Sequence, residues 1–227
     1  TIHCEVPIEF HLEELVRKNM DINTLTQDFQ DLEMYSLISQ VEKLGGNGSV
    51  ISEQPDKNYE IVRSLDKLRA LIDELQKTDL ISFDLETTSI KAMEADIVGI
   101  SFSLAAHSGY YIPVEFPEKS PGIDMDLDLI LEHLKPEFEN SQNNFCGQNI
   151  KYDALVLSRY DIHLSNMAFD TMVAEYLLHP EKNSYKLDYL SLDYLNYKMV
   201  PIEDLIGSGL HQKSMAEVSL NDISYYA

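Results

Sequence analysis

Asp84-Leu85-Glu86 sets two carboxylates two positions apart. On a strand, residues i and i+2 share a face, so both acids point the same way. Two like charges side by side are costly unless a proton or a cation compensates them. Hard oxygen donors of this kind suit Mg²⁺ or Mn²⁺. Read alone, the pair equally suits a solvated strand end, because Thr87-Thr88-Ser89 opens a polar stretch. A second constellation is Gly147-Gln148-Asn149-Ile150-Lys151-Tyr152-Asp153. Asn149 and Asp153 stand four apart on one helix face, near an N-terminus whose free N–H groups and dipole favour anions. A simple N-cap followed by a surface charge fits the same residues. Asp170, in Phe169-Asp170-Thr171-Met172, reads as an N-cap, with a carboxylate supporting a ligand from behind as the functional alternative. The C-terminal Ile223-Ser224-Tyr225-Tyr226-Ala227 carries two tyrosines in a helical pattern, with no cap and no Gly, which suggests a chain cut in mid-helix.

The elements around these residues follow from hydrophobic periodicity. Positions 59–62, 80–86, 96–104, 109–114, 144–147 and 168–169 read as strands. The second, third and fourth are separated by a short gap and a tight turn, which predicts consecutive antiparallel pairing. Ser64 is placed to cap a helix whose Leu65, Leu68, Leu71, Ile72 and Leu75 share a face. Helices are expected over 125–138, 149–160, 170–178, 185–194 and 215–226. Strands first, then alternating β and α, indicate an α/β three-layer domain with a mixed sheet. Before position 44 the texture differs. The first ten residues alternate loosely around Pro7, and two short helices are expected over 12–19 and 22–43. Gly45-Gly46-Asn47-Gly48-Ser49 then begins a flexible linker over 44–58.

The 227 residues are enough for one large domain with a small appendage. Two cysteines, far apart and outside any CxxC, exclude a disulfide framework and a zinc ribbon and point to a reducing cytosol. The seven histidines form no HxH or HExxH, and there is no GxSxG, Walker A or GxGxxG. No stretch approaches a membrane span, the N-terminus is no signal peptide, and the missing initial Met suggests a fragment. Lys+Arg number 17 against Asp+Glu 39, a net charge of −22. That balance suits a solvated acidic surface, and it suits nucleic acid only if carboxylates gather cations that in turn meet phosphate.

With these blocks in order, the chain resembles the bacterial DNA polymerase I family, the family A polymerases, over nearly its whole length. The run 83–89 is similar to that family's first exonuclease motif, 96–103 and 110–114 to the strands after it, and 147–153 to its second motif. Ala168-Phe169-Asp170-Thr171-Met172 resembles a further block, and Thr1-Ile2-His3-Cys4-Glu5-Val6-Pro7-Ile8 resembles the tail of the preceding 5′-nuclease region. The resemblance implies a small helical arm over 1–43 from that region, the linker over 44–58, and a C-terminally truncated 3′-5′ exonuclease domain over 59–227. The implied fold is ribonuclease H-like, α/β in three layers, around a mixed five-stranded sheet.

The same resemblance implies four acidic ligands for two divalent cations, Mg²⁺ or Mn²⁺, and one tyrosine. Asp84, Glu86 and Asp153 match three of the acids and Tyr226 the tyrosine of a YxxxD motif, whose aspartate falls at position 230, past this chain. Asp84 is then expected to bridge both ions, Glu86 to bind one ion and the terminal 3′-hydroxyl, Asp153 to hold the looser ion, and Tyr226 to orient the attacking water. Thr87, Ile90 and Asn149 are expected to contact the strand, Thr87 through its backbone and Ile90 as a wedge, with Asp170 supporting them. The implied substrate is a single-stranded 3′ end of DNA, as in proofreading during replication and repair. The implied partners are the polymerase (nucleotidyltransferase) and 5′-nuclease domains of the same parent chain, in the cytoplasm, with the basic DNA grip in the polymerase domain. Two alternatives share these motifs: an inactive exonuclease-like scaffold of the polymerase, and a stand-alone 3′-5′ exoribonuclease.

Overall fold

The computed structural model describes residues 11, 16, 20–32, 34, 37–38, 40–41, 58–114, 124–195, 197–207 and 213–226. The chain divides into two units, Thr1–Val50 and Ile51–Ala227. In the first, helix α1 (Ile22–Asp31) opens where the Asp21 carboxylate accepts the Thr24 N–H at 3.2 Å. Expectations for the N-terminal strand, the linker and most of the first helix lie outside the described residues.

In the second unit the order is β1 (Asn58–Ile61), α2 (Leu65–Leu75), β2 (Ile81–Thr87), β3 (Ile97–Ser103), β4 (Ser108–Pro113), α3 (Leu127–Phe138), β5 (Phe145–Gly147), α4 (Ile150–Ser158), β6 (Met167–Asp170), α5 (Thr171–Leu178), α6 (Leu187–Leu195), α7 (Ile202–Ile206) and α8 (Leu220–Tyr226). The sheet order is β1-β4-β3-β2-β5-β6. The expected antiparallel run is there: β2 pairs with β3 and β3 with β4. Parallel partners flank it, β1 beside β4, β5 beside β2 and β6 beside β5. The sheet is mixed but has six strands, not five, because both short edge segments pair over three or four positions.

Alternation along β2 builds the domain. Ile81, Phe83 and Leu85 enter the main core, together with Ile100 and Phe102 of β3, Ile112 of β4 and the apolar faces of α2, α3 and α4. Phe83, Phe102, Phe138 and Phe145 stack and tilt against one another there, with ring centroids 5.4 to 6.2 Å apart. Each such buried ring contributes on the order of 1.5–3 kcal/mol. Ser64 caps α2 through the Lys67 N–H, as its position predicts. A second, smaller cluster joins Val98, Tyr111, Ile206, Met215 and Ile223, seating the C-terminal helices by β3 and β4. The helix expected over 215–226 is broken in two. A short 3-10 turn, Met215–Glu217, closed by a Ser214/Glu217 capping box, precedes α8, because Val218 is extended and Ser219 makes a fresh start by accepting the Asp222 N–H. Helix α7 escaped the sequence reading, being a single five-residue turn behind Pro201. Among the described residues, no helix is long and apolar enough to cross a membrane.

Candidate active site

Because Phe83 and Leu85 face the core, Asp84 and Glu86 face the other side of β2. In the ladder Asp84 lies opposite Ser101, and Glu86 opposite Gly99. Asp84 keeps an open face to solvent while Glu86 is only 7% exposed. Even so, Asp84 sits on the floor of a cleft, so surrounding protein displaces much of the water that would stabilise its charge. Burial pushes Asp84 up to about 6. Burial and then the Asp84 charge push Glu86 up to about 8. The open face of Asp84 matters for chemistry: a solute can reach it without the domain opening.

The third acid arrives on α4. Gly147 ends β5 where a Cβ would stand 2.9 Å from the Phe83 carbonyl oxygen, so glycine lets the chain pass close to β2. Asn149 then adopts a left-handed conformation, φ 56°, and α4 begins. One turn later Asp153 is 2% exposed, and its Oδ1 accepts the Leu85 N–H at 3.2 Å. It is therefore no surface charge. Burial and then the Asp84 charge raise it to about 8, against the lowering pull of that N–H.

Asn149 stands at the N-cap position but makes no side-chain cap. Asp170 takes that place. Its Oδ1 accepts the Asn149 N–H at 3.1 Å and its Oδ2 the Ile150 N–H at 3.0 Å, and Oδ1 also accepts the Met172 and Val173 N–H groups at 2.9 and 3.2 Å. One carboxylate thus caps both α4 and α5, and the Asn149 amide remains available on the cleft wall. The cap reading of Asp170 holds, and the cap serves two helices rather than one.

Tyr226, on the last turn of α8, enters the same cleft, of about 1150 Å³, which Asp84, Glu86, Tyr111, Asn149 and Tyr185 also line. Burial, then the Glu86 and Asp84 charges, push its phenol up to about 12. Thr87 is half-buried, and its hydroxyl pairs with the Tyr152 hydroxyl at 2.6 Å. Both hydroxyls also reach the Ser89 carbonyl, which fixes the turn after the DLE strand. Ile90, just beyond, is 95% exposed. Tyr152 escaped the sequence reading as a site residue; its place beside Asp153, inside the run 147–153, was the available signal. The pair Gly99 and Tyr111 was also missed, since nothing in a strand pattern announces a contact across neighbouring strands.

Among the described residues, no three His, Cys, Asp or Glu side chains are already gathered tightly enough to hold a metal ion. The donor set nevertheless fits a hard divalent cation. It is all oxygen, and the Asp84 charge raises both Glu86 and Asp153, with Glu86 adding to the effect on Asp153 and no positive partner offsetting it. A cation removes that repulsion and draws such groups together.

Residues 59–227 match a family described as 3′-5′ exonuclease. The chain belongs to this 3′-5′ exonuclease family. It is 29% identical over 234 residues to DNA polymerase I of Pseudomonas aeruginosa, spanning all of this chain and 26% of that protein. It is 34% identical over 167 residues to DNA polymerase I of Chloroflexus aurantiacus, covering 74% of this chain and 17% of that one. The chain therefore spans about a quarter or less of these relatives' length. In fold it is similar to the catalytic core of RRP6 from Trypanosoma brucei, with a TM-score of 0.55 at 15% identity, covering 78% of this chain and 44% of that one. It is similar too to Escherichia coli RNase D, an exoribonuclease involved in structured RNA processing, with a TM-score of 0.52 at 16% identity over 75% of this chain and 40% of that one. These likenesses bear out the ribonuclease H-like architecture.

Proposed function

We propose that this 3′-5′ exonuclease domain is the proofreading part of a longer DNA polymerase I, and that it removes the terminal nucleotide from a single-stranded 3′ end of DNA. The observation that carries this reading is the grouping of Asp84, Glu86 and Asp153, three carboxylates that burial raises, the last two raised further by the Asp84 charge, beside a cleft entered by Tyr226. Asp84, Glu86 and Asp153 would hold two divalent cations, Mg²⁺ or Mn²⁺. When bound, these would stabilise charge on the attacking and leaving oxygens and make a water acidic enough to attack.

The chain's own residues do the rest. Tyr226, which enters the cleft from the last turn of α8, orients the attacking water by a hydrogen bond. Its raised phenol keeps its proton at working pH, so it can donate. The Asn149 amide, free of capping duty, contacts the sugar-phosphate strand, and Asp170 fixes its backbone. Thr87, pinned by Tyr152, presents its backbone to the terminal nucleotide. The exposed Ile90 wedges against the last bases, which favours a frayed end over a paired one. A chain with −22 net charge has no broad basic grip, so the rest of the polymerase supplies it.

The test is Asp84→Ala in the full polymerase. A 5′-labelled single-stranded DNA with Mg²⁺ is expected to give a ladder shortening from the 3′ end with the parent protein, no ladder with EDTA, and none with the variant, whose unfolding temperature does not fall. Undiminished cleavage by the variant would remove the site. A parent protein that leaves DNA intact but shortens RNA would move the reading to an exoribonuclease.

A further inference from the structure

Tyr111 carries a buried hydroxyl that the proposed reaction does not use. The residue is 4% exposed, and among the described residues its hydroxyl finds no hydrogen-bond partner. Such a group is rare in a folded interior and costs stability, since a phenol buried with its O–H unmet has given up water for nothing. Phenylalanine would fill the same space without that loss.

The position of the hydroxyl suggests what it is for. Tyr111 pairs with Ser101, which pairs with Asp84, so the three residues form one row across β4, β3 and β2, on the face that carries the acids. From that row the ring leans over Gly99. A Cβ on Gly99 would lie 2.1 Å from the phenol oxygen, so the missing side chain is what makes room for it. Gly99 is the direct cross-strand partner of Glu86. Paired Cβ positions in such a ladder are about 5 Å apart. The phenol oxygen therefore occupies the seat next to Glu86 that a Gly99 side chain would otherwise hold. Burial first, and then the Glu86 charge, oppose ionisation of the phenol, so that charge is felt there. The ring cannot drift away, because Val98, Ile206, Met215 and Ile223 pack with it in the smaller core cluster.

We propose that Tyr111 is a positioning residue for Glu86: its O–H donates to the Glu86 carboxylate and holds it in the orientation that ligates a cation. This rests on the metal-ligand reading of Asp84, Glu86 and Asp153 given above. For this contact to form, the Glu86 side chain must turn about its bonds until a carboxylate oxygen meets the donor that now lacks a partner among the described residues. The donor is thus set before the ion arrives, and the cost of leaving it unmet in the unloaded protein is the cost of that readiness. Gly99 and the C-terminal helices act through Tyr111, one by leaving space and the other by clamping the ring.

The test measures Mn²⁺ binding to the 227-residue chain from the free-ion electron paramagnetic resonance signal, with thermal unfolding recorded on the same samples. Three proteins are compared: the parent chain, Asp84→Ala and Tyr111→Phe. The parent is expected to bind Mn²⁺ and Asp84→Ala to lose it. Tyr111→Phe is expected to bind about tenfold more weakly, the loss typical of one hydrogen bond to a charged group. It should also unfold at the same temperature or higher, because a buried unmet hydroxyl has gone. A purely structural tyrosine would leave Mn²⁺ affinity unmoved, since phenylalanine keeps the ring and its packing. Equal affinity in the parent chain and Tyr111→Phe, with Asp84→Ala still defective, overturns this proposal alone. A parent chain that binds Mn²⁺ no better than Asp84→Ala takes the metal reading down with it.

Discussion

Asp170 holds the backbone of Asn149, its Oδ1 accepting the Asn149 N–H at 3.1 Å. The contact spans the β5 and β6 strand ends and reaches a residue in the left-handed region, where a side chain normally resists. Three of the four N–H groups that Asp170 accepts use Oδ1, and Oδ2 takes that of Ile150 alone. This arrangement predicts unequal substitutions. Asp170→Ala leaves the first turns of α4 and α5 uncapped and is expected to cost about 3 kcal/mol, the sum of two lost caps. Asp170→Asn can keep its oxygen on the Oδ1 side and is expected to lose about 1 kcal/mol. Chemical unfolding of the two variants checks the ratio. Equal losses would mean that Asp170 does not serve both helices.

The acid cluster predicts a pH dependence with a definite sign. Asp84, Glu86 and Asp153 sit at about 6, 8 and 8 in the folded chain, against about 4 for free carboxylates. Between about pH 4 and 8 the folded state thus holds more protons than the unfolded one, and stability must fall as pH rises through that window. Asp84 contributes least, because water reaches it. In EDTA, the unfolding temperature of the parent chain is expected to drop more steeply from pH 5 to 8.5 than that of Glu86→Gln, which cannot ionise there. Added Mn²⁺ should restore the parent at pH 8. Parallel slopes would show that Glu86 is not held protonated by the fold.

A partly buried charge cluster stiffens the helices beyond Asn149. Lys182 Nζ lies 2.8 Å from Glu175 Oε1 and 2.8 Å from Asp193 Oδ2, and the Tyr194 hydroxyl donates to Glu175 Oε2 at 2.7 Å. Glu175 and Lys182 are 3% and 7% exposed at the side chain, whereas Asp193 is 30% and Tyr194 58% exposed, so the pair is held out of water and its ties to α6 are not. Lys182→Met strands the buried Glu175 carboxylate and is expected to cost about 3 kcal/mol. Lys182→Met together with Glu175→Leu should recover part of that loss. A double variant no more stable than the single would show the charges act independently.

Much of this domain was legible in the residues themselves. Alternation in 80–86 and 96–104 located β2 and β3, short connections predicted their antiparallel pairing, and period-2 geometry required Asp84 and Glu86 to share a face. Local chemistry of that kind depends on neighbours in sequence, so sequence carries it. The family motifs added Asp153 and Tyr226, which no spacing rule joins to β2. What only the tertiary structure decided depends on contacts between distant segments. It showed that Asp153 is buried against Leu85, that the Asn149 helix is capped by Asp170 from another strand, and that the run over 215–226 breaks at Val218. It also showed that Tyr111 takes the space above Gly99. Each is settled by which backbone groups and volumes meet after folding, and a hydroxyl two strands away from a carboxylate leaves no periodic trace in either strand.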